Sequence, residues 1–345
     1  MSETSEFLAR LLKRGAKAYA AYASNELWQD WLAERIQELA AAVAAEKPRL
    51  FTSQVHWAKA VLAARGVSAE HFRAVLKALR NVLATEIPEK VQPLAARYLD
   101  EALDAFDEQP VDVRARLLPD TPHGRLASTY LLALLEGDRR QASRVVLDAI
   151  DQPESVRDLY LHVLLPAQEE LGRMWLAGEI NVAEEHFASH TTKTVIAQLL
   201  THAKFQPPNG RTVLAAAVAG NRHDIGLHAV ADFFEMAGWR AIQLGADVPA
   251  GDLIQALECF DVDLLALSVS LNVQLETVKS TIRTARTNPR GNKVKILVGG
   301  LAFADSGDLP AEMGADAYAE NPEEAVRLGE QLVGLVPNNG GEQGR

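Results

Sequence analysis

The sequence predicts a multidomain α+β protein: an all-helical N-terminal domain, a four-helix bundle, and a doubly wound domain with a five-stranded parallel sheet. Three observations predict it. The first 108 residues hold few glycines and repeat apolar residues at three- and four-residue spacing. Four further segments between Arg125 and Phe205 keep that helical period. After Gly210 the pattern changes to short apolar runs alternating with amphipathic ones.

Length and composition are compatible with this division. A chain of 345 residues, 48% apolar and 23% charged, suits two or three soluble domains with real cores. Thirty-five Lys and Arg against 46 Asp and Glu leave a formal charge of −11, which repels phosphate backbones and disfavours direct nucleic-acid binding. No apolar stretch approaches the roughly 20 residues of a membrane-spanning helix, and Glu3 and Glu6 precede any apolar segment, so neither a membrane span nor a secretion signal is expected. A single cysteine, Cys259, builds no disulfide framework, and the cytoplasm is the expected compartment.

In chain order, helices are expected over 6–23, 26–45, 53–65, 69–85 and 90–107, punctuated by Asn25, Pro48, Gly66 and Pro88, with Ser68 as an N-cap. Pro110, Pro119, Pro122 and Gly124 then crowd one short stretch, which marks a domain boundary. The bundle follows as helices over 126–135, 138–149, 153–177 and 182–203, and 206–210 (Gln-Pro-Pro-Asn-Gly) is a stiff linker. Strands are expected over 212–219, 241–244, 264–269, 294–298 and 315–319, with helices over 228–237, 252–260, 273–287, 309–313 and 323–335. Continuously apolar strands are buried on both faces, and strict alternation with helices means parallel pairing through right-handed crossovers. The expected domains are 1–108, 120–205 and 211–336, with 337–345 a polar, glycine-rich disordered tail.

In such a sheet the ligand site lies beyond the strand C-termini. After the first strand comes Gly220-Asn221-Arg222-His223-Asp224-Ile225-Gly226, which is no dinucleotide fingerprint, and no phosphate loop of the G-x-x-x-x-G-K-[ST] kind occurs in the chain. The loop offers instead a histidine able to ligate a metal; the plain alternative is a surface histidine near a helix start. Ser268 and Ser270 end the third strand, and Gly299 and Gly300 end the fourth, where a bulky ligand can approach the backbone. Together these features suggest a large ligand with a metal and a long polar tail.

Residues 211–336 resemble the cobalamin (vitamin B12) binding domain, a five-stranded flavodoxin-like fold. Its D-x-H-x-x-G signature matches Asn221-x-His223-x-x-Gly226, followed in order by the serine-containing strand end and the glycine pair. The resemblance implies that His223 is the lower cobalt ligand and that Gly226, Ser268, Gly299 and Gly300 line the nucleotide tail. The sequence departs from the pattern twice. Asn221 replaces the acidic residue beside the ligand imidazole, so that the partner is neutral and pushes less electron density onto the metal. Ser270 stands where leucine is expected.

The bundle contains Trp175, Glu185 and His186 around one corner. Gly178 is the expected end of one helix, and Asn181 with Glu184 forms a capping box opening the next. The plain alternative is a core tryptophan with two solvated polar residues. The spacing W-x9-E-H is similar to that of adenosylcobalamin-dependent photoreceptors of the CarH kind, which carry it in a four-helix cobalamin cap. That resemblance implies that Trp175 packs on the adenosyl group, Glu185 hydrogen-bonds it, and His186 takes the upper cobalt position after light breaks the cobalt–carbon bond. His190, four residues after His186, offers a zinc spacing without an apparent third ligand.

The resemblance covers roughly 120–336 and excludes a DNA-binding domain, since no wing-like strand pair precedes residue 110. The N-terminal helices hold Tyr22, Trp28, Trp31, His56, Trp57, His71 and Tyr98. These are either ordinary core aromatics or the walls of a globin-like pocket for a bilin such as biliverdin, which would be similar to the photocobilins. The expected function is a cobalamin-dependent photoreceptor and signalling protein without turnover of its own, working as a homo-oligomer with a protein effector. The alternatives are a corrinoid methyl carrier for methyltransferases, and a scaffold whose N-terminal helices dock a kinase or cyclase. Mutases and eliminases would need a barrel domain for which there is no room.

Overall fold

The computed structural model describes residues 2–21, 26–107, 117, 120–151, 155–304 and 306–335. Pro110 and Pro119 of the proline-rich boundary stretch, Tyr22, Pro153 and the tail lie outside them, as does the side chain of Trp28, whereas Leu117, Pro122 and Gly124 lie within them. The chain forms two compact units: Met1–Arg114 with Leu176–Glu179 and Leu271–Glu276, and Ala115–Trp175 with Ile180–Ser270 and Thr277–Arg345.

The first unit contains α1 (Glu3–Ala20), α2 (Glu26–Ala45), α3 (Pro48–Ala64), α4 (Ala69–Glu86) and α5 (Gln92–Asp104). Ser68 caps α4 by accepting from His71 N, as its place before the helix predicts. Pro48, expected as a breaker, instead opens α3 from its first turn, where a missing N–H costs nothing. Leu8, Leu32, Ile36, Phe51, Phe72, Leu76 and Tyr98 form its interior, with Trp31 edge-on to Phe72 at 5.3 Å. His56 Nε2 lies 2.5 Å from Ala105 O, and His71 is exposed.

The second unit begins with the four expected bundle segments. They are α6 (Pro122–Leu135), α7 (Arg139–Leu147), a continuous run made of α8 (Val156–Leu159), a π turn (Tyr160–Leu164) and α9 (Leu165–Ala177), and α10 (Val182–Leu200). A buried polar link, Tyr130 Oη to Thr192 Oγ1 at 2.8 Å, with Gln168 Nε2 donating to the same oxygen at 2.8 Å, fixes the register of α6, α9 and α10.

The sheet follows, with all strands parallel in the order β2-β1-β3-β4-β5: β1 (Thr212–Val218), β2 (Arg240–Val248), β3 (Leu264–Ser268), β4 (Lys295–Gly299) and β5 (Ala317–Ala319). The connecting helices are α11 (Ile225–Met236), α12 (Ala250–Cys259), α13 (Leu275–Thr287) and α14 (Leu309–Glu312), and α15 (Pro322–Leu332) ends the fold. β1 is buried at every position, as a central strand covered on both faces must be. Leu131, Tyr160 and Val195 of the bundle share one apolar core with Val213, Ala215 and Phe233 of the sheet domain. Burying a side chain such as Phe233 there is worth about 1.5–3 kcal/mol, so bundle and sheet pack as one body.

Candidate cofactor site

The site starts where β1 stops. The chain turns through Gly220 at φ +82°, and Asn221 N donates to Val218 O at 2.9 Å. Asn221 is 0% exposed, and its amide works in both directions. Nδ2 donates to Ser268 O at 3.0 Å; Oδ1 accepts from His223 N at 3.1 Å and lies 3.3 Å from His223 Nδ1. Because Nδ2 is committed to a carbonyl, the atom facing the imidazole is an acceptor, and the network assigns the ring proton to Nδ1. In a neutral ring so oriented the lone pair falls on Nε2, the atom through which an imidazole can ligate a metal, and His223 is exposed.

Asp247 braces this loop from β2, accepting from Gly220 N at 2.6 Å and donating its own N–H to Asn221 O at 2.9 Å. Its φ of +55° is a conformation aspartate tolerates better than most residues.

The neighbouring strand ends are flush. The register sets Ala217, Ser268, Gly299 and Ala319 in one row across β1, β3, β4 and β5. The Ser268 hydroxyl makes no hydrogen bond among the described residues, and Ser270 is half-buried. Gly300 has φ +104°, and a Cβ there would collide with the Val269 carbonyl, so glycine is required by the backbone. Gly226 differs. It is in the first turn of α11, exposed, and a Cβ would meet nothing within 4 Å. Space above that turn, a serine hydroxyl and an exposed imidazole are the features a corrinoid with a nucleotide tail needs, and the residues present fit it.

In the bundle, α9 ends at Ala177 with Gly178 at φ +75°. Asn181 and Glu184 form the expected capping box, Asn181 N donating to Glu184 Oε2 at 2.7 Å and Glu184 N to Asn181 Oδ1 at 3.1 Å. Glu185 and His186 are together: Glu185 Oε2 lies 2.6 Å from His186 Nδ1, and Oε1 accepts from Ser189 Oγ at 2.6 Å. Trp175 is 42% exposed and the His186 side chain 68%. Among the described residues no group of three or more His, Cys, Asp or Glu could hold a metal. A metal already held by a macrocycle asks for only one protein donor on each face.

Sequence reasoning missed the contacts around Asp224. Its carboxylate is met by Lys193 Nζ of α10 at 2.7 Å, and His228 Nε2 is 3.7 Å away. Burial pushes the His228 pKa down against the opposing pull of Asp224. The partners lie 31 residues apart and no motif announces them.

The fold and these contacts define a class: a helical cap joined to a flavodoxin-like domain with a histidine loop, that is, a cobalamin-binding module. Two family models, each described as a B12 binding domain, match residues 211–327 and 126–200. A corrinoid protein of Desulfitobacterium hafniense is 26% identical over 59% of this chain and 94% of its own length. A dimethylamine corrinoid protein of Methanosarcina mazei is 30% identical over 35% of this chain and 71% of its own. Against other dimethylamine corrinoid proteins the chain spans about 56% of their length. The monomethylamine corrinoid protein of Methanosarcina barkeri shares the fold, with a TM-score of 0.51 at 21% identity over 59% of this chain and 96% of that one. The chain belongs to the corrinoid-protein family. Its N-terminal helices lie outside both matched regions.

Proposed function

We propose that this protein is a corrinoid carrier that presents a cobalamin-held methyl group to partner methyltransferases. When bound, the corrinoid supplies a cobalt atom whose upper position accepts and releases an alkyl group. The chain's own residues do the rest. His223 would ligate the cobalt, Asn221 would orient that ring without adding charge, and Ser268, Gly226, Gly299 and Gly300 would line the tail. The single observation that carries the reading is the exposed His223 ring held at Nδ1 by the buried Asn221 amide. Exposure of Trp175 and His186 favours a carrier, whose upper face must be reachable by a partner. The names of the relatives, corrinoid proteins for methylamines, support the same class of reaction.

The test is to load the full chain with hydroxocobalamin, pass it through gel filtration, reduce the bound cobalt to Co(I) with an added low-potential reductant, and offer a corrinoid methyltransferase with a methylamine in darkness. Retention with methylation of the bound corrinoid supports the reading; loss of the corrinoid from wild type overturns it.

The second reading is a photoreceptor using adenosylcobalamin, favoured by one observation, the Trp175, Glu185 and His186 spacing at the cap corner. It predicts that green light converts the adenosyl form to a stable species that His186→Ala does not form. A bilin in the N-terminal unit belongs to that reading, and absence of a long-wavelength band on mixing with biliverdin removes it.

A further inference from the structure

Asp224 occupies the N-cap position of α11, where an aspartate ordinarily accepts from the first free N–H groups of its own helix. Here it makes no such bond. Both carboxylate oxygens face Lys193 Nζ, at 2.7 and 2.9 Å, across from α10. The carboxylate is 9% exposed and the lysine 36%, so the pair is partly shielded from water and stronger than a surface ion pair. Two turns further along α11, Asp232 accepts from Tyr160 Oη at 2.5 Å, and that tyrosine opens the π turn of the cap. Arg157 from the same cap segment lies 5.4 Å from the centroid of the Phe233 ring. The cap therefore holds α11 at its start and at its middle, and the residue immediately before that start is His223.

We infer that α11 is the mechanical link between the helical cap and the histidine loop, with Lys193 and Tyr160 as positioning residues that set where His223 stands. The inference deepens the carrier reading and rests on it for the role of His223. A cap displaced by a partner must break Lys193–Asp224 or carry α11 with it. In either case the event above the corrin reaches the ligand below. With Lys193 gone, the bundle no longer holds the start of α11, and the backbone that carries His223 loosens.

The experiment uses the full chain with and without corrinoid. In the unloaded protein, Lys193→Met is expected to speed amide exchange across residues 219–228 about tenfold, with Lys193→Arg restoring the wild-type rate. Tyr160→Phe, which keeps the ring, is expected to speed exchange in both 156–164 and 224–236. In the loaded protein, the Co(II) electron spin resonance signal, read with isotope-labelled histidine, is expected to show a mixed lower ligand in Lys193→Met. Unchanged exchange at 219–228 in Lys193→Met overturns the inference, whatever ligates the cobalt. A wild-type signal insensitive to the histidine label overturns the ligand reading instead, and the exchange result still stands or falls by itself.

Discussion

The two ends of the candidate site, the loop after β1 and the bundle corner, are built differently. At the first, His223 is fixed by a buried asparagine that is itself tied to β3 and, through Asp247, to β2. At the second, Trp175 and His186 are exposed, and Glu185 is held by His186 and Ser189 of its own helix. A loop organised by the protein's own hydrogen bonds lowers the cost of binding a ligand there. The bundle corner is more open to solvent.

The sharpest way to break that contrast is to remove one imidazole from each end. His223→Ala is expected to weaken hydroxocobalamin binding about 100-fold, since even outer-shell partners of metal ligands are worth 10–100-fold. His186→Ala is expected to change it by less than about threefold. Titration calorimetry of both variants checks this, and equal losses would erase the difference between the two ends.

Two glycines give the next largest effects, and they separate folding from binding. Gly300→Ala forces an L-residue to φ +104° against the Val269 carbonyl and is expected to destabilise the unloaded protein by about 2–4 kcal/mol in urea. Gly226→Ala places a methyl in open space on a helix, with stability unchanged or raised by about 1 kcal/mol. Its cost is expected in corrinoid affinity alone.

Asn221→Asp tests whether the amide is structural as well as supporting. An aspartate still accepts from His223, yet it cannot donate to Ser268 O, and a carboxylate oxygen would face that carbonyl in a fully buried position. Loss of about 1–3 kcal/mol of stability is expected, measured on the unloaded protein near pH 7. Corrinoid retained by that variant should show stronger histidine donation, because the partner is now charged.

Much of this was legible in the sequence because it is local. The five parallel strands follow from apolar runs, the Asn181–Glu184 cap from three-residue spacing, and His223 from the loop after β1. Boundaries slipped where backbone detail decides. α11 starts at Ile225 rather than at residue 228, which brings Gly226 inside the first turn. β2 runs from Arg240 to Val248 because register shifts opposite Ala215 and Ala216 let it continue past residue 244. The π turn at Tyr160 has no sequence period of its own. Lys193–Asp224 and Tyr160–Asp232 are invisible for a different reason: each joins elements brought together only by the packing of the cap on α11.

The smallest effect belongs to that joint between the two ends. Burial pushes the Asp232 carboxyl up to about 6, against the lowering effect of the Tyr160 hydroxyl, with nearby Glu235 pushing it further up. The folded-state pKa lies above the unfolded value of 3.8, so the folded protein holds this proton more tightly. The resulting stability is fully present below pH 3.8 and is lost as pH rises through 6, beyond which this group adds no further slope. A shift of roughly two pH units corresponds to at most about 3 kcal/mol, and on the order of 1–2 kcal/mol once relaxation around the carboxyl is allowed for. Glu38 in the other unit, pushed up to about 7 by burial, gives the same sign over a window ending one unit higher. The informative quantity is therefore the difference between wild type and Asp232→Asn in urea unfolding at pH 4 to 7. That difference should grow in favour of the variant between pH 4 and 6 and stay level above, while Tyr160→Phe moves the rise to higher pH because the hydroxyl that favoured the carboxylate is gone.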